Sequence, residues 1–490
     1  MCIRDRSHVN LRAGQQNIPN AYIKEPLAID SIANLLGKNV YYRVEQNRYI
    51  IREASQTEVN DWFEDLRPTE PLLPPLNLDY QSILPLSEIS FDMSDAYGAK
   101  CANIATLLTF GFPENTTPDG FGIPFYFYQE FMQYNGFFEE IATLSADQNF
   151  IDDRDVRDEV LKDFRKTIRD ADMPDWMLDE LDDMHKSFPA GTSVRCRSST
   201  NNEDLPGFNG AGLYDSKTQH PDEGHISKSI KQVFASLWNL RAYDEREFLR
   251  VDHTLASMGI LCHPNYEDEM ANGVGVSIDP LYNSENTFYL NSQLGEDLIT
   301  NPQANSIAEE MLLDYEGPSE NDYILVQRSN LVDEDSIILN ERYRAEMREF
   351  FSVIHDEFEI LYEAVDNPTF AMDIEYKITY EGQLIIKQAR PWTSFNDNID
   401  EPKQGTATLK PLSLFPNPSS DFVTLTCEDC ASLEIEIYDV IGRKMSSEVT
   451  GFVNEKSIRF NVNQWPTGSY LIQISSGNNE VLATHQFIKF

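Results

Sequence analysis

One stretch constrains this chain more than any other. Residues 195–216 read Arg-Cys-Arg-Ser-Ser-Thr-Asn-Asn-Glu-Asp-Leu-Pro-Gly-Phe-Asn-Gly-Ala-Gly-Leu-Tyr-Asp-Ser. Arg197 stands at the head of a Ser-Ser-Thr run, the carboxylates Glu203 and Asp204 follow, and then come Gly207, Gly210 and Gly212. A guanidinium offers a planar fork that matches phosphate oxygens. Hydroxyls and a glycine-rich backbone can close around the same anion, because glycine places no Cβ between the N–H groups and the ligand. The segment therefore predicts a loop that handles a polyphosphate. It is not a Walker loop, because no Gly-Lys-Ser/Thr follows.

A second constraint lies near residue 380. Residues 371–378 and 384–389 alternate apolar and polar, and Tyr380-Glu381-Gly382 separates them. Residues two apart on a strand share a face. Asp373 and Glu375 therefore point the same way, as do Gln388 and Arg390, and pairing the strands brings the four groups together. Carboxylates of this kind bind Mg²⁺, which bridges phosphates, while an arginine neutralises charge on a departing phosphoryl group.

Two polar stretches divide the chain. Residues 67–85 carry Pro68, Pro71, Pro74 and Pro75 with little periodicity and read as an extended linker. Residues 396–411, rich in Asn, Asp and Glu, read as another. Before the first linker, residues 27–36 have helical spacing, and 40–44 with 49–51 read as a hairpin. After the second, alternating segments at 421–426, 433–438, 457–462, 469–475 and 481–488 predict a β-sandwich.

The Arg197 segment resembles the nucleotide-binding domain of the dikinases, the family of pyruvate phosphate dikinase, phosphoenolpyruvate synthase and the glucan, water dikinases. The form Asn-x-Glu-Asp-Leu-x-Gly-x-x-Gly-Ala-Gly-Leu-Tyr-Asp-Ser is closest to the last of these. The resemblance covers about residues 86–395 and implies an ATP-grasp domain. Tyr97-Gly98-Ala99-Lys100 resembles the family's opening Gly-Gly-Lys motif, with Lys100 on the ATP phosphates and Ala99 in place of a glycine. Residues 231–247 resemble its Ala-Ser-x-Trp-x-x-Arg-Ala helix; Trp238 reads as core, and Arg241 as a phosphate contact or a salt-bridge partner. Met258–Pro264 occupies the hinge strand that would pair with the adenine edge, with His263 where the family has Gln. Leu294-Gly295-Glu296 resembles a Gly-Leu-Gly-Glu turn, with Gln293 in place of its first glycine; Glu296 reads as an adenosine or phosphate contact, or as a turn carboxylate. The resemblance implies metal-binding roles for Glu375 and Gln388, a nucleotide role for Asp373, and phosphate roles for Arg197 and Arg390. ATP and Mg²⁺ are thereby implied.

Residues 7–23, beginning Ser-His-Val-Asn-Leu-Arg-Ala, resemble the phosphohistidine swivelling domain of the same family, in which His8 would carry the phosphoryl group. A neutral imidazole is nucleophilic near pH 7. Residues 1–66 then read as the truncated tail of that domain, with 1–6 resembling a translated sequencing adapter. A histidine domain ahead of the nucleotide domain matches the order of the glucan, water dikinases.

Residues 412–490 resemble a type IX secretion C-terminal sorting domain. The resemblance rests on Leu414-Phe415-Pro416-Asn417-Pro418, Ile437-Tyr438-Asp439, Gly442-Arg443, Pro466-Thr467-Gly468-Ser469-Tyr470-Leu471 and the end at Phe487-Ile488-Lys489-Phe490. It implies export to the cell surface or medium, with the secretion machinery as partner. The whole reads as a multidomain α+β chain, an ATP-grasp domain followed by an all-β immunoglobulin-like sandwich.

Composition narrows the partners. The net charge of −42 repels nucleic-acid phosphates, so a general basic binding surface is excluded. An ATP site must then be built from locally gathered cations and a divalent metal. No run approaches the roughly 18 apolar residues of a membrane span. Cys427-x-x-Cys430 lacks the second pair usual for zinc and reads as a surface disulfide or two free thiols. The expected activity is transfer of the ATP β-phosphate through His8 to an acceptor, a glucan by resemblance, and of the γ-phosphate to water or phosphate. The alternative is a non-catalytic surface protein that keeps the ATP-grasp shell, which the departures at Ala99, Gln293 and His263 favour.

Overall fold

The computed structural model describes residues 23, 26–44, 49–203, 205, 208, 210, 212–266, 269–282, 284–295, 306–317, 322–333, 336–365, 367–392, 413–415, 422–426, 433–439, 444–445, 449–454, 457–466, 468–476 and 481–489. His8, Glu296, Cys427, Cys430 and the expected linker at 396–411 lie outside them.

The alternation around residue 380 folds as the sequence requires. Met372–Thr379 pairs antiparallel with Leu384–Pro391, and Gly382 turns between them at φ +80°. These are the last two strands of a six-stranded antiparallel sheet. Its order is Tyr323–Gln327, Glu309–Asp314, Thr287–Leu294, Glu269–Val276, Met372–Thr379 and Leu384–Pro391. One face carries Ile374, Tyr376 and Leu290 onto Met347, Phe351 and Ile354 of the long helix Glu341–Leu361, all buried in one core. The opposite face carries Asp373, Glu375 and Lys377, because successive side chains alternate across a strand.

A second antiparallel sheet runs in the order Leu84–Pro85, Phe121–Ile123, Met258–Pro264, Val194–Thr200 and Lys217–Gln219. Its core is closed by amphipathic helices. In Arg154–Asp170, Leu161, Phe164 and Ile168 recur at spacings of three and four and are buried, and the Asp153 carboxylate caps the amides of Asp155 and Val156. The helix Ala99–Leu107 connects the two sheets. Ile104 and Leu107 enter the core of the six-stranded sheet, and Asn103 Nδ2 donates to the Ala389 carbonyl at 3.0 Å.

The expected 231–247 helix is two helices, Ser227–Ser236 and Leu240–Phe248, with Trp238 buried at the break as predicted. The hairpin Val40–Val44/Tyr49–Glu53 forms. The helix expected at 27–36 is shorter, a 3₁₀ turn Pro26–Ala28 and one α-turn Asp30–Ala33. An unanticipated helix, Gln56–Leu66, starts at a capping box: Ser55 Oγ accepts from the Glu58 amide and Glu58 Oε2 accepts from the Ser55 amide. Residues 67–83 form no helix or strand, but Leu84–Pro85, within the expected linker, is an edge strand of the five-stranded sheet.

Beyond residue 412 the described residues form two four-stranded antiparallel sheets. Phe422–Thr426 pairs with Ser457–Asn461 in one, and Leu433–Asp439 with Gly468–Ser476 in the other. Val423, Leu425 and Phe460 share a core with Ile437 and Ile472 from the other sheet. The strands at 413–415, 444–445 and 449–454 were not anticipated. No described helix is long and apolar enough to cross a membrane.

Candidate functional site

Arg197 is the residue around which the two sheets meet. It sits on Val194–Thr200 of the five-stranded sheet, yet its described side-chain bonds all reach the other sheet. Its NH1 donates to the Lys387 carbonyl at 2.8 Å, and its NH2 donates to Gln388 Oε1 at 2.9 Å and to Glu375 Oε2 at 3.4 Å. The carbonyl is free because the strand pair carries a bulge. Glu375 opposes Gln388 and Tyr376 opposes Ile386, so Lys387 has no partner across that ladder.

The same register places Asp373 opposite Arg390. Arg390 Nε and NH2 both donate to Asp373 Oδ2, at 3.1 and 2.9 Å, and Asp373 Oδ1 is buried without a hydrogen-bond partner. The predicted four-residue constellation is therefore assembled, with Arg197 joined to it from 178 residues away in sequence.

Lys100 lies one residue inside the helix Ala99–Leu107. Its Nζ reaches Glu203 Oε1 at 3.3 Å, on the loop after Arg197. Gly98 opens that helix at φ +82°, and a Cβ there would stand 2.3 Å from the Ser199 carbonyl and hydroxyl oxygens. Only glycine permits this approach, and it lets Ser199 Oγ accept the Cys101 amide at 3.0 Å. Position 99 tolerates alanine as the first residue of the helix.

Six cations gather here, Lys100, Arg195, Arg197, Lys377, Lys387 and Arg390, against the carboxylates Glu203, Glu269, Asp373 and Glu375. In a chain of net charge −42 this is a local reversal of sign, as polyphosphate binding demands. Glu375 shows the resulting field. Burial alone would raise its carboxyl, but Arg197, Lys387, Arg390 and Lys100 together hold it at about 2. It is a carboxylate at any physiological pH.

His263 stands where Met258–Pro264 leaves its sheet. Phe121–Ile123 covers only Ile260–Cys262 of that strand, so the ladder on that side stops before His263. The chain then crosses to the other sheet, which it joins at Glu269. The His263 ring is buried, and burial together with the charges of Arg197, Lys387 and Arg195 lowers its pKa to about 3. Its Nδ1 lies 2.8 Å from the Pro264 carbonyl, which only an Nδ1–H can satisfy, so Nε2 is a buried lone pair without a donor.

The folded pKa of His263 is depressed below the ordinary value of about 6.5, so the histidine's contribution is complete above pH 6.5 and is lost as the pH falls towards 3. Denaturant unfolding of His263→Gln and of the parent protein at pH 7 and pH 5 should show a smaller acid loss in the variant, by up to about 1.4 kcal/mol per pH unit. Equal losses would contradict it.

Arg241 is exposed on Leu240–Phe248 and is not among the residues bonded here. The buried arginine of that helix is Arg246, which was not singled out from the sequence. Its Nε donates to His253 Nδ1 at 3.1 Å and its guanidinium lies 5.3 Å from the Trp238 ring centre. Position on the inner helix face, five residues after Arg241, was the signal that distinguished it. Gln293 is built into the fold, with its amide bonded to Ser306 Oγ, the Ile307 carbonyl and Ser329 Oγ.

Glu375 Oε2 and Gln388 Oε1 both accept from Arg197 NH2 and so lie close together; oxygens are the donors Mg²⁺ takes, one or two from the protein, with phosphates and water completing its shell. Among the described residues no three His, Cys, Asp or Glu side chains converge as a metal cage.

Residues 94–410 match the family described as pyruvate phosphate dikinase, AMP/ATP-binding domain, and residues 413–489 match the secretion system C-terminal sorting domain. The probable phosphoenolpyruvate synthase of Staphylothermus marinus is 27% identical over 225 residues, 44% of this chain and 26% of that protein. The phosphoenolpyruvate synthase of Aeropyrum pernix is 25% identical over 226 residues, 44% of this chain and 27% of its own length. The rifampicin phosphotransferase of Bacillus cereus is 26% identical over 185 residues, 37% of this chain and 21% of the relative. The chain thus spans about a quarter of the length of these relatives.

Proposed function

The chain belongs to the pyruvate phosphate dikinase AMP/ATP-binding family and carries a C-terminal sorting domain that directs it through type IX secretion to the cell surface or beyond. From that premise we propose that residues 86–395 form an ATP-grasp domain that binds Mg-ATP between its two sheets. The β-phosphate passes to a histidine on a swivelling domain, His8, and then to an acceptor. The observation that carries this reading is Arg197, held across the two sheets onto Glu375, Gln388 and the Lys387 carbonyl.

Each group has a role in that reading. Lys100 and Arg197 neutralise the phosphates. Arg390, oriented by Asp373, stabilises the charge that builds on the transferring phosphoryl group. Glu375 and Gln388 would hold Mg²⁺, which would supply positive charge against the phosphates. The strand Met258–Pro264, with His263, pairs with the adenine edge. Glu296 and Arg241 belong to the same proposal as nucleotide contacts. The names of the relatives favour a small-molecule acceptor as readily as a glucan, and the motif form of residues 201–216 favours the glucan.

The test is isotopic. With a complete swivelling domain restored around His8, the chain incubated with β-labelled Mg-ATP should acquire an acid-labile, base-stable label, and γ-labelled ATP should leave it unlabelled. Label from the γ-position alone would contradict a dikinase. A second reading, nucleotide binding without transfer, is favoured by Gln293, whose bulk and four-way bonding replace a glycine turn. It predicts Mg-ATP binding with no label from either position.

The C-terminal segment is proposed to act only as an address. Deleting residues 412–490 should leave Mg-ATP affinity within twofold of the parent and abolish export in a type IX host. Normal export of the truncated chain would refute the assignment.

A further inference from the structure

Three of the six cysteines, Cys101, Cys196 and Cys262, are buried free thiols, and two of them face each other. Cys196 on Val194–Thr200 and Cys262 on Met258–Pro264 are direct partners in the antiparallel register. Directly opposed residues in such a ladder have Cα atoms about 4.5–5.5 Å apart, inside the roughly 4.4–6.8 Å span that a disulfide bridges. The Sγ atoms stand 3.8 Å apart, both side chains are 0% exposed, and Cys262 Sγ–H donates to Cys196 Sγ. The backbone already satisfies the condition for a bond, and a small side-chain rotation closes the remaining gap.

The compartment supplies the chemistry. A chain exported by the type IX route passes through and ends in oxidising surroundings, where disulfides form and persist. We propose that Cys196 and Cys262 are a modification site, joined as a cross-strand disulfide in the exported protein. The co-reactant is a disulfide, RSSR. One cysteine, as its thiolate, displaces one RS⁻ to give a mixed disulfide. The second then displaces the other RS⁻. One S–S bond forms between Cys196 and Cys262, RSSR is reduced by two electrons to two RSH, and the two cysteine protons leave on them.

The place of the bond gives it a purpose. Arg195, Arg197, Leu261 and His263 alternate with the two cysteines and point to the other side of the sheet. The bond therefore lies directly behind the anion-binding residues. It fixes the strand that carries Arg197 to the strand that leads across to the second sheet. It also closes a loop of roughly 65 residues, long enough for a covalent closure to constrain the unfolded chain strongly.

The timing is also set by the fold. Both thiols are 0% exposed, so a disulfide reagent cannot reach them in the closed sheet, and the hydrogen bond to Cys196 and burial also push the Cys262 thiol well up. The bond forms while the sheet assembles.

The experiment refolds the purified full chain from guanidinium, once with oxidised and reduced glutathione and once with dithiothreitol. Each product is alkylated, digested and mapped by mass spectrometry. Protein refolded with glutathione should yield a linked peptide pair containing Cys196 and Cys262, and should melt roughly 5 °C or more above the reduced form. Glutathione added to protein already folded in dithiothreitol should give no linked pair over the same period. Cys262→Ser should abolish the linked pair and the difference in melting temperature. Recovery of Cys196 and Cys262 as separate alkylated peptides after refolding with glutathione would overturn the proposal. So would linkage of either one to Cys101. Both outcomes are read on the parent protein, so they stand whether or not the variant folds.

Discussion

Arg197→Ala should weaken Mg-ATP binding by about 1.5–3 kcal/mol, roughly 10- to 150-fold in Kd, the scale of hydrogen bonds to a charged group. The side chain is 13% exposed and spans two sheets, so in the proposed reading its loss removes both a phosphate contact and a tie between the sheets. It also removes the first of the cations that hold Glu375 ionised, so the Glu375 carboxyl should rise from about 2. Arg197→Lys should recover part of the affinity. An ammonium keeps the charge but cannot bond Lys387, Gln388 and a phosphate from one planar fork. If Arg197→Ala binds Mg-ATP as the parent does, the cleft is not where the phosphates sit.

Arg390→Ala should reduce the rate of β-label transfer by about 100- to 1,000-fold while changing Mg-ATP affinity far less. The expected asymmetry follows from its setting. Both donors of Arg390 converge on Asp373 Oδ2, so the guanidinium is held in place before a nucleotide arrives and need not reorganise. A group fixed in that way acts on charge that develops during transfer rather than on the ground state. His8→Ala should remove the label altogether, since imidazole is the nucleophile in this scheme. Equal losses of affinity and rate in Arg390→Ala would make it a binding residue instead. Label that persists in His8→Ala would move the acceptor elsewhere.

How much of this was legible beforehand depends on the range of the interaction. Period-two alternation with a Tyr-Glu-Gly turn was enough to predict the strand pair and to place Asp373, Glu375, Gln388 and Arg390 on one face. The five C-terminal segments followed from the same pattern, and their strands fall within one residue of the expected bounds. Gly98 was legible because a glycine before a helix start has few other uses. The bulge at Lys387 was not, since it adds a residue without disturbing the alternation on either side, and Arg197 depends on it for an acceptor. The choice between Arg241 and Arg246 needed the helix break at Leu237–Asn239, which fixes the face turned inward. The helix Gln56–Leu66 had a readable signal in Ser55-Gln56-Thr57-Glu58, and its charged body obscured it. The pairing of Cys196 with Cys262 rests on a register between strands more than 60 residues apart, which local periodicity does not encode.

In the proposed reading, two antiparallel sheets joined through Arg197 form a cleft for Mg-ATP. Titration calorimetry of the full chain with ATP in excess Mg²⁺ tests it most directly. A saturable heat with one nucleotide per chain is expected, lost or strongly weakened in Arg197→Ala. No heat from the parent protein at millimolar ATP, with the chain folded by its melting transition, would contradict it.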